Sequence, residues 1–343
     1  MLSSTTPTRI YLVLGVGLFV VTLLSMRYGA ISLTWTEIQH AFKAIFGAKT
    51  DATLNERIFR EIRLPRTIAC LLVGSSLAVS GVLLQGLFRN PIVEPGLIGT
   101  SSGAAFGAAL YFVLGASFNV HANELTLPIA AGLGGVAATG LVFVLSRNNL
   151  SGKSTVFSLL LTGIAVNALF LSGVGFLSYI ARDPQARSIT FWNLGTLSGA
   201  NWSSVLVMAL VILTSFAFAL RQAGSLNALM LGEDEALLLG IDVRKLQRTV
   251  MVINVMLVAV TTAFTGVIAF VGLIVPHLLR LMHGSNNRYL IVGSALLGGI
   301  LLSAVDLVAR LLLAPAELPI GIVTSLIGVP VFIMLLRRNQ YSF

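Results

Sequence analysis

Long uncharged blocks, separated by short charged segments, dominate the pattern of this chain. Most are close to the roughly 20 apolar residues that cross a bilayer as a helix. The block from 249 to 282 is too long for one untilted helix, and Gly266, Gly272 and Pro276 interrupt it, so it predicts two spans. The pattern therefore predicts an all-α membrane protein with about ten transmembrane helices, in the blocks 10–26, 67–88, 97–120, 125–146, 154–181, 188–220, 249–282, 289–313 and 318–336.

Basic residues orient the predicted helices. If the chain starts in the cytoplasm and 249–282 counts as two spans, the short loops rich in Lys and Arg fall inside, as the positive-inside rule requires. Counting one span would instead leave four arginines outside: Arg280, Arg288, Arg337 and Arg338. We therefore expect both termini in the cytoplasm and a retained first helix rather than a signal peptide. The long outer segment 27–66 is an exception, because it holds a basic cluster before the second helix.

Composition supports the membrane assignment. Of 343 residues, 56% are hydrophobic and 10% are charged, whereas about a quarter are charged in soluble proteins. The net charge of +9 could suggest a nucleic-acid partner, but uncharged blocks of bilayer length make topology the better explanation. The single cysteine, Cys70, excludes an intrachain disulfide and is interpreted as a packing residue.

One polar stretch, Arg221 to Arg248, separates two long uncharged blocks. Within it, Gly232 and Gly240 bracket a segment of about two helical turns, in which an acidic cluster lies beside an apolar ridge of leucines. This pattern favours a short amphipathic helix outside the membrane. The alternative is a solvated loop that only joins two spans.

Glycine spacing leads to two further predictions. Gly99, Gly103 and Gly107 recur every four residues and share one helix face, which is typical of close helix packing in lipid. An offset of 185 residues relates Gly81 to Gly266, and it also relates two further pairs of residues, Arg63 with Arg248 and Pro91 with Pro276. With five spans between the copies, this offset predicts a possible inverted repeat.

Side chains that could carry chemistry are few. The segment 151–155 resembles the end of a phosphate-binding loop but lacks the earlier glycine, so we expect no nucleotide site. His277 and His283 lack a metalloprotease spacing and are interpreted as packed or interfacial. Asp306 and Arg310 stand one helical turn apart in a predicted span, which favours either mutual pairing or a functional role. We therefore predict neither a catalytic site nor a permanently bound cofactor or metal.

Ordered motifs relate most of the chain, from residue 63 onward, to a known family. They are Arg63-Leu64-Pro65-Arg66, Glu94-Pro95-Gly96-Leu97-Ile98-Gly99, Pro276-His277 with Arg280, the stretch from Asp306 to Arg310, and Glu317-Leu318-Pro319-Ile320-Gly321. In these motifs the chain resembles the FecCD family of ABC importer permeases. The resemblance implies a single transmembrane permease domain over 1–343, with the type II ABC importer permease fold. It also implies a homodimer in the bacterial inner membrane, two ATP-binding subunits that bind and hydrolyse ATP, and a periplasmic substrate-binding protein.

The same resemblance suggests two sites. The run from Leu231 to Ile241, inside a predicted coupling loop 221–248, looks like the coupling helix that meets the ATPase. Its expected contact residues are Gly232, Glu233, Ala236, Leu239, Gly240 and Ile241. Three arginines match positions expected to meet carboxylates of the binding protein at the periplasmic mouth: Arg63, Arg66 and Arg310.

The cargo prediction also rests on resemblance. The run 86–104 looks closest to haem permeases of Gram-negative bacteria, so we predict haem, with ferric siderophores and cobalamin as alternatives. His40 and His121 are candidates for transient ligation outside the membrane, although a lone loop histidine is more often only solvated. The rival class is an ion-coupled secondary transporter, which needs an intramembrane carboxylate such as Asp306.

Overall fold

A computed structural model describes residues 7–29, 31–46, 53–115, 123–146 and 156–338. His121 and the segment 151–155 lie outside these described residues. Within the described ranges the chain forms helices and no strand. The α-helices are α1 (Pro7–Arg27), α2 (Trp35–Phe46), α3 (Leu54–Arg57), α4 (Leu64–Leu87), α5 (Thr100–Leu114), α6 (Thr126–Leu145), α7 (Val156–Ile180), α8 (Asp183–Asn193), α9 (Trp202–Leu231), α10 (Glu233–Leu238), α11 (Val243–Thr265), α12 (Val271–His283), α13 (Asn287–Leu312) and α14 (Ile320–Arg338).

Ten of these helices are apolar enough to belong in a membrane. By length and composition, 7 described helices can cross a bilayer: α1, α6, α7, α9, α11, α13 and the continuous helix Leu54–Leu87 that contains α4. The described residues also include three shorter apolar helices, α5, α12 and α14. The predicted all-α class with about ten transmembrane helices is confirmed.

Helix α4 forms the centre of the bundle, because nearly all of its residues are buried. It packs against α9, α11, α12 and α13. A Cβ atom at Gly74 would lie 2.2 Å from the carbonyl oxygen of Gly298 on α13, and one at Gly81 would lie 1.8 Å from that of Gly272 on α12. Glycine is therefore needed where these backbones touch, as expected for helices that pack in lipid.

The predicted glycine face on α5 is confirmed as a packing surface. A Cβ atom at Gly103 would lie 2.3 Å from the carbonyl oxygen of Gly134 on α6, and one at Gly107 would lie 2.2 Å from that of Ala130. Larger residues at these positions would push the two helices apart.

The block 249–282 forms two helices, as its glycines and proline predicted. Helix α11 ends at Thr265, Gly266 has a φ of 70°, and α12 begins at Val271. A Cβ atom at Gly266 would also lie 2.1 Å from the carbonyl oxygen of Trp192. This turn therefore requires glycine for its φ and for the space around it.

Two predicted boundaries differ from the structure. The block 188–220 is not one span, because α8 ends at Asn193 and α9 begins only at Trp202. Helix α9 then continues to Leu231, so most of the stretch 221–248 is helical and only residues 232–242 separate α9 from α11. The turn between α8 and α9 contains uncharged Gly, Ser, Thr and Asn residues, so a search for uncharged blocks could not detect it.

The predicted inverted repeat pairs residues that occupy different settings. Gly81 lies inside α4, whereas Gly266 follows α11. Pro91 lies in the turn after α4, whereas Pro276 lies inside α12. These pairs do not support the repeat, which stays a prediction.

The segment 27–66, predicted to lie outside, contains structure that the hydrophobic pattern missed. Helix α2 buries Ile38 and Ala41 in a small core that includes Leu33 and Phe59. A π-helical turn, Ile58–Arg63, then joins α3 to α4 without interruption. The described parts of this segment therefore form a packed layer over the N-terminal end of α4.

Candidate functional site

Two glycines with positive φ bound helix α10. Gly232 has a φ of 146° and Gly240 a φ of 79°. At the C-terminal end, the Ile241 N–H donates to the Ala236 carbonyl oxygen at 2.9 Å, and the Gly240 N–H donates to that of Leu237 at 2.9 Å. This pair of bonds is a Schellman motif, which favours glycine at the left-handed position that Gly240 occupies. The predicted short helix between the two glycines is therefore present.

Three consecutive leucines give α10 and its C-cap an exposed apolar surface. Leu237, Leu238 and Leu239 are 57%, 88% and 62% exposed. We call these three residues the leucine surface. Because it lies outside the spans and beside exposed carboxylates, it has the character of a protein interaction site.

The six residues predicted to contact the ATPase divide into two groups. Three are exposed and can reach a partner: Glu233, Leu239 and Gly240. Three are buried or half-buried and shape the helix instead: Gly232, Ala236 and Ile241. Leu237 and Leu238 were absent from the predicted set, although the apolar ridge in the sequence contains both.

Helix α10 lies near the C-terminal end of α4, and the second candidate site lies at the N-terminal end of α4. Arg89, just after α4, places its Nη2 atom 4.0 Å from Glu233 Oε1 on α10. Arg66 lies in the first turn of α4. At ~1.5 Å per residue the helix between them is roughly 30 Å long, about the thickness of the hydrocarbon core. The two candidate sites therefore face opposite sides of the membrane.

Arg66 joins two carboxylates at this second site. Its Nε and Nη2 atoms donate to Asp306 Oδ1 at 3.0 and 2.8 Å, and its Nη1 atom donates to the two oxygens of Glu317 at 2.9 and 2.8 Å. Arg310 Nε lies 2.9 Å from Asp306 Oδ2, so the pairing anticipated from the i, i+4 spacing is present. We call Arg66, Asp306, Arg310 and Glu317 the ion-pair cluster.

Arginines of this region also bind backbone carbonyl groups. Arg310 donates to the Ser25 hydroxyl at 2.8 Å and to the Tyr28 carbonyl oxygen at 3.3 Å. Arg63 donates to the carbonyl oxygens of Tyr28 and Ile31. These bonds tie the end of α1 and the segment before α2 to α4 and α13.

The three arginines predicted to dock a binding protein are all buried. Arg63, Arg66 and Arg310 are 5%, 6% and 3% exposed. A docking role for them stays a prediction, and in this conformation a partner would have to compete with their internal bonds. Arg57 and Arg60, at the end of α3 and in the π-helical turn, are exposed instead.

The layer formed by α2 and α3 contains an ordered carboxylate. Glu37 at the start of α2 accepts hydrogen bonds from the Thr34 N–H at 2.7 Å and from the Asn55 amide at 2.6 Å. These two hydrogen bonds lower the pKa of the Glu37 carboxyl group. Glu37 therefore keeps its negative charge on this layer.

A polar link near the other end of α4 was not predicted. Gln85 on α4 accepts a hydrogen bond from Arg280 on α12 and donates to the carbonyl oxygen of Gly272 at 3.2 Å. The Phe270 N–H, which precedes α12, donates to Glu94 Oε1 at 2.8 Å. These contacts attach the segment between α4 and α5 to α12. In the sequence, the only sign of this link is that Gln85 and Glu94 are polar residues in apolar surroundings.

The histidines do not assemble a metal site in the described part of the chain. His40 is exposed on α2, and the His283 ring packs edge-on against Tyr289 at 5.2 Å between centroids. No group of three or more His, Cys, Asp or Glu side chains occurs among the described residues in a geometry that could hold a metal.

The described chain has ten apolar helices, an exposed leucine surface at one end and a buried charge cluster at the other. These features define a multi-pass membrane protein. Comparison with known proteins then assigns its family. The model of the FecCD transport family matches residues 17–338. The chain therefore belongs to the FecCD transport family, as its motifs predicted.

Curated relatives cover nearly the whole chain. The hemin transport system permease protein HmuU of Yersinia pestis is 40% identical, over 94% of this chain and 93% of its own length. The vitamin B12 import system permease protein BtuC of Vibrio cholerae is 39% identical, over 85% and 86%. The iron(3+)-hydroxamate import system permease protein FhuB of Bacillus subtilis is 37% identical, over 92% and 80%.

Solved structures support the fold. A chain assigned to the metal-chelate type of ABC transporter, in an inward-facing conformation, superposes with a TM-score of 0.85 at 34% identity, over 97% of this chain and 100% of its own. A chain of PsaBC from Streptococcus pneumoniae superposes with a TM-score of 0.55 at 16% identity, over 87% and 95%. The type II ABC importer permease fold is confirmed.

Proposed function

We propose that this chain is the transmembrane permease subunit of an ATP-driven importer that moves haem across the bacterial inner membrane. The similarity that supports haem is the hemin permease of Yersinia pestis, which matches 94% of the chain. The cobalamin and iron-hydroxamate permeases are 39% and 37% identical, close behind its 40%. Cobalamin and ferric siderophores are therefore the alternative cargoes.

The leucine surface is the observation that carries the proposal of an ATP-driven partner. It consists of apolar side chains exposed on a helix whose ends are fixed by Gly232 and Gly240, and it lies beside acidic residues of the same helix. Such a surface suits a cleft on a soluble protein. ATP-driven movement of the ATPase subunits would displace α10, and this displacement would reach the bundle through α9 and α11. The permease itself would make or break no covalent bond.

The ion-pair cluster argues against an ion-coupled secondary transporter. A proton or sodium relay needs a carboxylate that can change its charge or its ligands. Asp306 is instead held by two arginines, with contacts of 2.8 to 3.0 Å. Its charge is compensated within the protein, which suits a structural role.

A homodimer would provide the cargo path. Among the described helices that are long enough to span a membrane, α7 is the least buried, with 17% of an 18-residue apolar stretch buried. One exposed side of α7 is a stripe of small residues that would let a second copy approach closely: Ala165, Ala168, Ser172 and Gly175. A path lined by small and apolar side chains suits a flat hydrophobic disc such as haem.

The proposed arrangement in the membrane places both termini and α10 in the cytoplasm. The layer formed by α2 and α3 then faces the periplasm, where a substrate-binding protein would deliver the cargo. The exposed arginines Arg57 and Arg60 lie on this layer and could attract acidic residues of that protein.

Reconstitution in liposomes tests the cargo. The permease, its ATPase and its binding protein are supplied with haem, a ferric siderophore or cobalamin, and uptake is measured with and without ATP. We expect ATP-dependent uptake of haem. ATP-dependent uptake of either alternative without haem would contradict the cargo, whereas haem uptake driven only by an ion gradient would contradict the ATP-driven class.

A further inference from the structure

A groove of about 670 Å³ runs along the contact between α5 and α6. It extends from the middle of both helices to the end where α5 finishes and α6 begins, and Phe170 of α7 closes one side. Its walls come from α5, α6 and the residue after α5, and the lining includes Tyr111, Leu114, Thr126 and Ala137. The groove is therefore a slot in the membrane-spanning surface.

The lining of the groove is almost entirely carbon. Its two side-chain hydroxyl groups, those of Tyr111 and Thr126, hydrogen-bond to each other at 3.1 Å near the end of the groove. Haem or a peptide in this slot would leave carboxylates or amides without partners, at a considerable cost in free energy. A hydrocarbon chain has no such groups, so the slot suits an acyl chain.

A basic segment packs beside the end of α5 that borders the groove. Gln185 on α8 donates to the Val113 carbonyl oxygen at 3.5 Å, next to the lining residue Leu114, and accepts from the Arg182 N–H at 3.0 Å. Ile189, one turn further along α8, packs with Ala109 of α5. Arg182 is the N-cap residue of α8 and its N–H bonds to Gln185, so its backbone lies near the same end of α5.

The arginines of this segment can bind a phosphate group. Arg182 and Arg187 are exposed. Two exposed carboxylates lie in the same region: that of Asp183, and that of Glu124, which comes two residues before Thr126 and accepts from the Asn201 amide at 3.0 Å. An arginine at the membrane surface binds phosphate strongly through paired N–H groups. The order of apolar slot, hydroxyl pair and arginine matches the order of acyl chain, ester region and phosphate in a phospholipid.

We propose that the groove between α5 and α6 binds one acyl chain of a membrane phospholipid whose phosphate group contacts Arg182. In the proposed topology this lipid belongs to the periplasmic leaflet. Its chain would pack against Phe170 and so contact α7, the span that the proposed dimer uses. The bound lipid is thus a structural ligand of the permease and separate from its cargo.

Native mass spectrometry of the purified full chain tests the proposal. The protein is taken from nanodiscs of phosphatidylglycerol and phosphatidylethanolamine, and retained phospholipid is counted during stepwise delipidation. Ala137 is exposed in the groove, so Ala137→Phe should fill the slot. Val136 is exposed on the same helix outside the groove, so Val136→Phe is the matched control.

We expect wild type and Val136→Phe to retain one phospholipid per chain, and Ala137→Phe to retain it at least about tenfold less, because excluding even two methylene groups has that effect. Arg182→Gln should also reduce retention, and more for phosphatidylglycerol at low salt. Equal retention in wild type and a folded Ala137→Phe would overturn the proposal. So would a disulfide between two copies of an Ala137→Cys variant, because a second copy would then cover the groove.

Discussion

Replacement of Asp306 by asparagine isolates the contribution of the ion-pair cluster to stability. The substitution keeps the size of the side chain and removes its charge. Asp306 is 0% exposed and is the carboxylate that Arg66 and Arg310 share. Asp306→Asn therefore removes the negative charge that balances the positive charges of two buried arginines.

The size of the effect follows from what each arginine retains. Removing one partner of a buried ion pair costs about 3–5 kcal/mol. Arg66 keeps Glu317, and Arg310 keeps Ser25 and the Tyr28 carbonyl oxygen, so we expect the lower end of that range. At roughly 2–4 °C per kcal/mol for a large domain, the midpoint of thermal unfolding should fall by about 6–12 °C.

Cys70 provides the assay, because it is the only cysteine in the chain and is fully buried. A thiol-reactive fluorophore added to the detergent-solubilised protein reports Cys70 as the bundle opens on heating. Glu317→Gln is the matched control: its side chain is 33% exposed, so water screens the charge and the loss should stay under about 1 kcal/mol. If Asp306→Asn unfolds at the wild-type temperature, the cluster does not stabilise the fold.

Three further predictions concern the two faces of the protein. Leu238→Glu should leave the bundle folded and abolish co-purification of the ATPase; normal complex yield would contradict the docking role of the leucine surface. Cysteine introduced at Asp234 should resist an impermeant reagent added to intact cells, whereas cysteine at Arg182 should react; the opposite pattern would reverse the topology. Arg57→Glu with Arg60→Glu should weaken binding of the substrate-binding protein most at low salt, and unchanged affinity there would exclude these arginines.

The ten-helix pattern could be predicted because bilayer thickness imposes a length on each apolar block. The glycine positions also predicted where two helix backbones touch, at Gly103 against α6, and where the chain turns, at Gly266 after α11. The same method failed at 188–220, since a turn of uncharged polar residues does not interrupt an uncharged block. It also missed α2, whose sequence is amphipathic and too short to span a membrane.

The two candidate sites differed in how far the sequence could describe them. Helix α10 is a local structure, because its bounding glycines and its leucines lie within nine residues of one another. The ion-pair cluster depends on contacts across 240 residues between Arg66 and Asp306. The sequence predicts only its i, i+4 pair, Asp306 with Arg310. It does not predict that Arg63 and Arg66 are buried, because that burial depends on contacts between distant parts of the chain.

The distribution of burial indicates which elements can move when α10 is pushed. The continuous helix Leu54–Leu87, which contains α4, has 78% of an 18-residue apolar stretch buried, and close glycine contacts hold α4 against α12 and α13. Helix α7, at 17%, lacks such constraint over most of its surface. Its side chain Asn167 nevertheless donates to the carbonyl oxygens of Gly96 and Leu97 at 3.1 Å, in the segment that Glu94 attaches to α12. Because a close-packed core moves as a unit, we expect a push on α10 to move α4, α12 and this segment together, with α7 attached to them through Asn167.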